Sequence, residues 1–212
     1  MLELEHIHYA PATVPEPILR GVQLTASAGR PVLVAGASGS GKTSLLEVIS
    51  GLASSQSGTV RWQGQTLNQR QRRSLCGIVF QFPERHFLGL TVTQELKLGH
   101  RRLPGERLEQ VLRRVGLHQI ERSIAPERLS GGQQRRLSLA VQLLRGAQVL
   151  LLDEPTAGLD WSVRDDVLQL LADLSRDRVL LVVTHEPQLF RDWPCDRYRL
   201  VSGQLTSLTT LP

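Results

Sequence analysis

Three stretches of this chain place residue types at spacings that phosphate chemistry uses. The run Gly36-Ala37-Ser38-Gly39-Ser40-Gly41-Lys42-Thr43 fits the pattern GxxxxGK[ST]. Its glycines let the backbone wrap with N–H groups pointing inward around an anion, and a helix starting there adds the positive end of its dipole. Lys42 can reach β- and γ-phosphates, and the Thr43 hydroxyl can ligate Mg²⁺. The apolar run Val149–Leu152 ends in Asp153 and Glu154. The first acid can hold a metal shell and the second can polarise a water for attack on phosphorus. Leu129-Ser130-Gly131-Gly132-Gln133 puts a Ser-Gly-Gly turn before a helical pattern, which makes a second N-terminal anion site or, more plainly, a Ser-capped helix start. A chain needs one such site for its own nucleotide, so the economical use of the second is to cover a nucleotide held by another copy.

Strands and helices must hold these stretches in place. Alternation over Leu2–His8 and Val22–Ala26, and the apolar run Pro31–Ala35, predict three strands, with a proline-bearing loop at Ala10–Pro17. Gly41–Ser50 carries Leu45, Leu46, Val48 and Ile49 at helical spacing and is stopped by Gly51. Thr59–Trp62 and Gly77–Phe80 read as further strands. From Phe82 to about Leu144 the signals are helical, with an amphipathic stretch at Leu108–Val115, a helix over Gln134–Leu144, and breaks at Pro83, Pro104 and Pro126. Val149–Leu152, a helix over Trp161–Arg176 and Val179–Val183 form the βαβ pattern of a parallel sheet. Arg197–Val201 and Gln204–Leu208 close as a hairpin around Ser202–Gly203.

The 212 residues are 41% hydrophobic and 21% charged, the composition of one globular domain with a real core. Spanning a bilayer takes about 20 apolar residues, and the longest apolar runs here are far shorter. Met1–Tyr9 lacks the basic start and apolar stretch of a signal peptide. Cys76 and Cys195 have neither the number nor the spacing of a disulfide framework or zinc site, which suits a reducing compartment. His6 and His8 on one strand face lack a third ligand and read as surface decoration. Of the 25 basic residues only Lys42 and Lys97 are lysines. Arginines pair at 72–73, 101–102, 113–114 and 135–136, and the formal charge is +5. These pairs read as solvated helical faces interleaved with Glu. No aromatic residues punctuate them, so nucleic acid is not expected as a partner.

Taken together, the stretches resemble the nucleotide-binding domain of an ABC (ATP-binding cassette) ATPase over essentially the whole chain. The resemblance implies an α/β fold: a P-loop NTPase core with a mainly parallel sheet, an N-terminal antiparallel β part, and a helical subdomain inserted between Q-loop and signature motif. In one domain over residues 1–212, the core takes about 1–81 and 145–212 and the helical part about 82–144. ATP and Mg²⁺ are the implied cofactors. Tyr9 matches the aromatic residue that stacks on adenine, and Gly36 to Thr43 with Ser44 form the Walker A phosphate loop. Gln81 matches the Q-loop glutamine that contacts Mg²⁺ and the attacking water and senses the membrane partner, which adds it to Thr43 and Asp153 as a metal residue. Ser130, Gly131, Gly132 and Gln133 are the signature that closes over the other subunit's γ-phosphate. Asp153 is the Walker B acid, Glu154 the catalytic carboxylate, Asp160 the end of the D-loop Ala157–Asp160, and His185 the switch histidine. Lys42, Gln81, Glu154 and His185 together imply a working ATPase. Trp161 departs from the proline common at that position and sets an indole near the expected dimer interface.

Phe80-Gln81-Phe82-Pro83-Glu84, then Thr91-Val92, resemble the energy-coupling factor and cobalt-type importer ATPases, although His86 stands where that group commonly has Gln. The implied function is the ATP-hydrolysing subunit of a membrane transporter, an importer of a vitamin or metal ion. It would lie peripherally on the cytoplasmic face, beside a transmembrane subunit and a second ABC ATPase subunit, the same or a sister. A soluble ABC ATPase of iron–sulfur assembly or DNA repair is the alternative. A P-loop kinase or GTPase has no use for Leu129–Gln133.

Overall fold

A computed structural model describes residues 1–13 and 16–208, so residues 14 and 15 of the expected loop Ala10–Pro17 lie outside it. Two sheets organise the chain. β1 (Leu2–Tyr9) pairs antiparallel with β2 (Leu19–Ala26) and with β4 (Ser57–Trp62), and β5 (Gln65–Thr66) joins the far edge. The second sheet runs β10-β9-β3-β8-β7-β6, from β3 (Val32–Ala35), β6 (Cys76–Val79), β7 (Val149–Asp153), β8 (Val179–Thr184), β9 (Asp196–Val201) and β10 (Gln204–Leu208). All its pairings are parallel except the β9–β10 hairpin. That hairpin turns through Ser202 at φ 48° and Gly203 at φ 80°, a primed turn whose twist matches the strands.

β3, β7 and β8 are buried along their full length, as strands covered on both faces must be. Period-2 alternation splits their side chains between two cores. Val32, Val34, Leu151 and Leu181 face α1 (Lys42–Ser50) and the antiparallel sheet. Leu33, Leu150, Leu152 and Leu180 face the helices α3 (Val92–Lys97), α4 (Gly105–Arg114), α5 (Gly131–Leu144) and α6 (Trp161–Leu174). α5 lies directly on β6, where a Cβ on Gly77 would strike Gln142 and Ala147.

The structure departs from simple alternation in β1. His6 takes φ 48° and the register slips between Leu4 and Ile7, a bulge that lets Leu2, Leu4 and Ile7 all face inward. Gly58 faces this bulge at φ 88°, where a Cβ would collide with the carbonyls of Glu5 and His6. α2 (Gln69–Leu75) and β5 have no counterpart among the expected elements. The sequence of α2, QRQRRSL, has no apolar period; its start is fixed instead by a capping box between Asn68 and Gln71. α5 begins at Gly131, three residues before the expected Gln134, because Ser130 is its N-cap.

Two of the arginine pairs are not the solvated faces expected. Arg72 is buried and donates to the Val48 carbonyl, while Arg73 donates to that of Gly51, so the pair closes the C-terminus of α1. Arg135 is 3% exposed. Among the described residues no helix is long and apolar enough to cross a membrane.

Candidate active site

β3 delivers the chain into the glycine loop, and Gly36 N–H still bonds the Thr184 carbonyl of the neighbouring strand. Gly41 takes φ 97° and has the Ile18 side chain against it, leaving no room for a Cβ. Lys42 is buried, and its ammonium donates to the Gly36 and Ala37 carbonyls at 2.8 and 3.0 Å. The cation is therefore held inside the loop, 3.7 Å from the Glu154 carboxylate. The Thr43 hydroxyl donates to Asp153 Oδ2 at 2.6 Å. Burial pushes the Asp153 carboxyl above the usual carboxylate range; the Thr43 bond pulls it down, the Glu154 charge adds to the rise, and Lys42 and Arg135 oppose it.

Glu154 follows β7 in a left-handed backbone conformation, φ 47°, uncommon for a residue with a side chain. Its carboxylate is held on both oxygens. Oε2 accepts from Thr184 Oγ1 at 2.9 Å, and Oε1 accepts from the His185 backbone N–H at 2.9 Å and lies 2.8 Å from His185 Nδ1. The Thr184 hydroxyl in turn accepts from Glu186 N–H at 3.0 Å. The ring of His185 is about half exposed at the rim.

A cleft of about 500 Å³ opens over these groups. Ser38, Gly39, Gly41, Lys42, Thr43 and Ser44 line it from the loop and the first turn of α1, and Gln81, Asp153, Glu154 and His185 line it from the ends of β6, β7 and β8. The Asp153 carboxylate, the Thr43 hydroxyl and the Gln81 amide line it together, an oxygen donor set of the kind that holds Mg²⁺ with phosphate and water completing the shell. The glycine cradle and Lys42 suit the phosphates.

The other expected residues sit elsewhere. Ala37 and Ser40 line an adjoining hollow of about 460 Å³ that shares Ile18, Ser38 and Gly39 with the cleft. Tyr9 lines neither; it is half-buried against the core, and its carbonyl accepts from Ile18 N–H at 2.7 Å. Ile18 lines both, a contribution no motif marks. Ser130 and Gly131 lie exposed, away from the cleft, and Ser130 and Gln133 bond reciprocally as a capping box. A Cβ on Gly132 would strike Val163 of α6. Asp160 is the exposed N-cap of α6, followed by Trp161 at 76% exposure. The glycine loop thus faces the cleft, while the Ser130-capped start of α5 faces outward.

Sequence routes miss Arg135 entirely. Its guanidinium donates to the Phe80 carbonyl at 2.9 Å and to the Ala157 carbonyl at 3.4 Å. Burial draws it down to about 10, against the pull of Glu84 and Asp153.

The family model described as ABC transporter matches residues 19–157. "ABC transporter I family member 11, chloroplastic" of Arabidopsis thaliana is 39% identical over 201 residues, covering 87% of this chain and 72% of that protein. The macrolide export ATP-binding/permease protein MacB of Escherichia coli (strain K12) is 36% identical over 206 residues; the match covers 89% of this chain but only 31% of MacB. Among solved structures, cbiO1 from Clostridium perfringens, part of the ABC transporter complex cbiONQ, superposes with a TM-score of 0.85 at 24% identity, covering 97% of this chain and 86% of that one. That likeness shows the same P-loop ATPase fold.

Proposed function

The chain belongs to the ABC transporter family and hydrolyses ATP, and from that premise we propose that it powers a membrane transporter through the cleft described above. The observation that carries the reading is the meeting of Lys42, Thr43, Gln81, Asp153, Glu154 and His185, from the ends of four different strands, on one cavity. Lys42 exchanges its two loop carbonyls for β- and γ-phosphate oxygens when ATP enters. Thr43, Asp153 and Gln81 would hold Mg²⁺, which would neutralise developing phosphate charge. Glu154, aimed by Thr184 and His185, takes the proton of a water as its oxygen bonds the γ-phosphorus. The bond from that phosphorus to the β–γ bridging oxygen breaks, giving ADP and phosphate. His185 orients the γ-phosphate, and Tyr9 beside Ile18 takes the adenine.

Two cassettes close head to tail, so that Ser130, Gly131 and Gly132 of each cap the partner's γ-phosphate, with Asp160 and Trp161 at the same seam. The exposure of Ser130 and Gly131 at the start of α5, outside the cleft of their own chain, supports this. Residues 82–144 form the helical part beside the core of 1–81 and 145–212. Phe82, Leu88 and Leu90, exposed by 43%, 81% and 80%, follow Gln81 and offer apolar side chains to a transmembrane subunit. In this reading the chain lies peripherally on the cytoplasmic face.

The fold likeness to cbiO1 and the run Phe80–Glu84 support an importer of the energy-coupling-factor type for a vitamin or metal ion. The similarity to MacB favours a second reading, an exporter. A mild-detergent pull-down of tagged chain from native membranes, with mass spectrometry, tests the proposal. Recovery of a polytopic membrane protein is the expected result, and its identity separates importer from exporter. Recovery of soluble partners alone would overturn the transport reading in favour of iron–sulfur assembly or repair.

A further inference from the structure

Arg135 sits in the second turn of α5, 3% exposed, with its Nε buried and without a partner among the described residues. Its fork spans two loops that leave different strands. The Phe80 carbonyl immediately precedes Gln81, and the Ala157 carbonyl opens the segment that ends at Asp160. Ala157 is itself tied to the reacting carboxylate's backbone, since its N–H donates to the Glu154 carbonyl at 3.1 Å. α5 cannot easily slide beneath this fork. It is seated on β6 at Gly77 and against α6 at Gly132, both places where a Cβ would clash.

We propose that Arg135 is a positioning residue. From a helix fixed by packing, it holds the Gln81 loop and the turn after Glu154 at one spacing. One side chain therefore sets the two loops relative to each other. A planar fork with diverging N–H groups spans two carbonyls on separate loops; lysine must reach both from a single nitrogen, and glutamine offers a shorter amide. The charges of Glu84 and Asp153 favour the charged form of Arg135. The alternative is that Arg135 merely satisfies two loop carbonyls and stabilises the fold.

The inference rests on the reading of Gln81 and Glu154 given above, and kinetics on the full chain separate the two. Hydrolysis, ATP affinity and melting are measured for Arg135→Gln, Arg135→Lys, Gln81→Ala, the double variant Arg135→Gln/Gln81→Ala, and Glu154→Gln. Misplacement by about 1 Å costs up to about a hundredfold. Arg135→Gln should therefore lower kcat by about tenfold to a hundredfold, with KM and ATP affinity within about threefold, and Arg135→Lys should lose less. The double variant should lose less than the product of the two single losses, because one of the two groups Arg135 positions is then already gone.

An unchanged kcat, losses that multiply in the double variant, or a fall in kcat matched by lost ATP affinity or lost melting temperature each overturn the positioning role. If Arg135→Gln does not fold, Arg135→Lys and its double variant with Gln81→Ala decide by the same criteria. Parental turnover in both Gln81→Ala and Glu154→Gln would remove the site reading and this inference with it. Loss of turnover in those two with parental turnover in the Arg135 variants would remove this inference alone.

Discussion

Replacing Glu154 by glutamine separates chemistry from architecture at the one residue where the structure ties them most closely. The amide oxygen can take the place of Oε1 and keep both His185 contacts, now at 2.8 and 2.9 Å. The amide nitrogen then faces Thr184 Oγ1, which already accepts from Glu186 N–H and has a second lone pair free. That hydroxyl turns from donor to acceptor and its own hydrogen loses its partner inside a fully buried residue. The cost to the fold is one hydrogen bond, about 1 kcal/mol. The reaction loses its base, a contribution of about 10²–10⁴ in rate, or ~2.7–5.4 kcal/mol on the barrier. ATP binding should hold or tighten, because a negative charge beside the γ-phosphate site is gone. Phosphate release at saturating Mg·ATP, read beside melting curves with and without ATP, measures all three quantities. Turnover within about tenfold of the parent would refute the base assignment. A collapse in melting temperature would refute the hydrogen-bond accounting.

Further outcomes follow from neighbouring groups. Asp153 has a folded-state pKa raised by burial, so its contribution to stability is greatest below its unfolded value and declines as pH rises through the folded one. Ligand-free Asp153→Asn should then melt no lower than the parent at pH 7, with a flatter melting profile from about pH 4 upward, yet lose the shift given by Mg·ATP. A lower melting temperature at pH 7 would count against the burial cost. Burial pushes the Cys76 thiol up to about 12, and raises Cys195 too, so neither should react with iodoacetamide at pH 8 until the chain is unfolded. Mass spectrometry of the native protein checks this, and rapid labelling would contradict it. Trp161, 76% exposed at the start of α6, should shift its emission to the blue when the Glu154→Gln variant binds ATP, and Trp161→Phe should lose the shift. An unshifted spectrum would mean that the start of α6 stays wet and does not enter a dimer seam.

The cleft was legible in the sequence because its parts are local. A glycine loop must be contiguous to wrap a phosphate, and an acid pair after an apolar strand marks where that strand ends, so residues 36–44 and 153–154 announce themselves. The sheet was legible for a related reason: β3, β7 and β8 are apolar throughout, as buried parallel strands are. What sequence reasoning lost depends on partners distant in the chain. Ile18 enters the cleft because the chain leading into β2 packs against Gly41. α2 carries no apolar stripe because its arginines reach across to the carbonyls of α1 rather than into a core. Arg135 looks identical to Arg136 in a string of letters, yet one is buried beneath two loops and the other pairs with Asp166 at 2.8 Å. The His6 bulge is silent because a residue count cannot show a slipped register.

The near absence of lysine has a chemical consequence. Arginine keeps its charge against ordinary acylating reagents and enzymes, so a surface built on it offers almost no amine side chains to acetylation or ubiquitin attachment. Lys42 is shielded by its own loop, and only Lys97, exposed at the end of α3, remains as a lysine acceptor. An amine-directed crosslinker would therefore attach to lysine at a single defined point. That point ends the helix that follows the exposed apolar residues after Gln81, ready to report by distance which protein settles there.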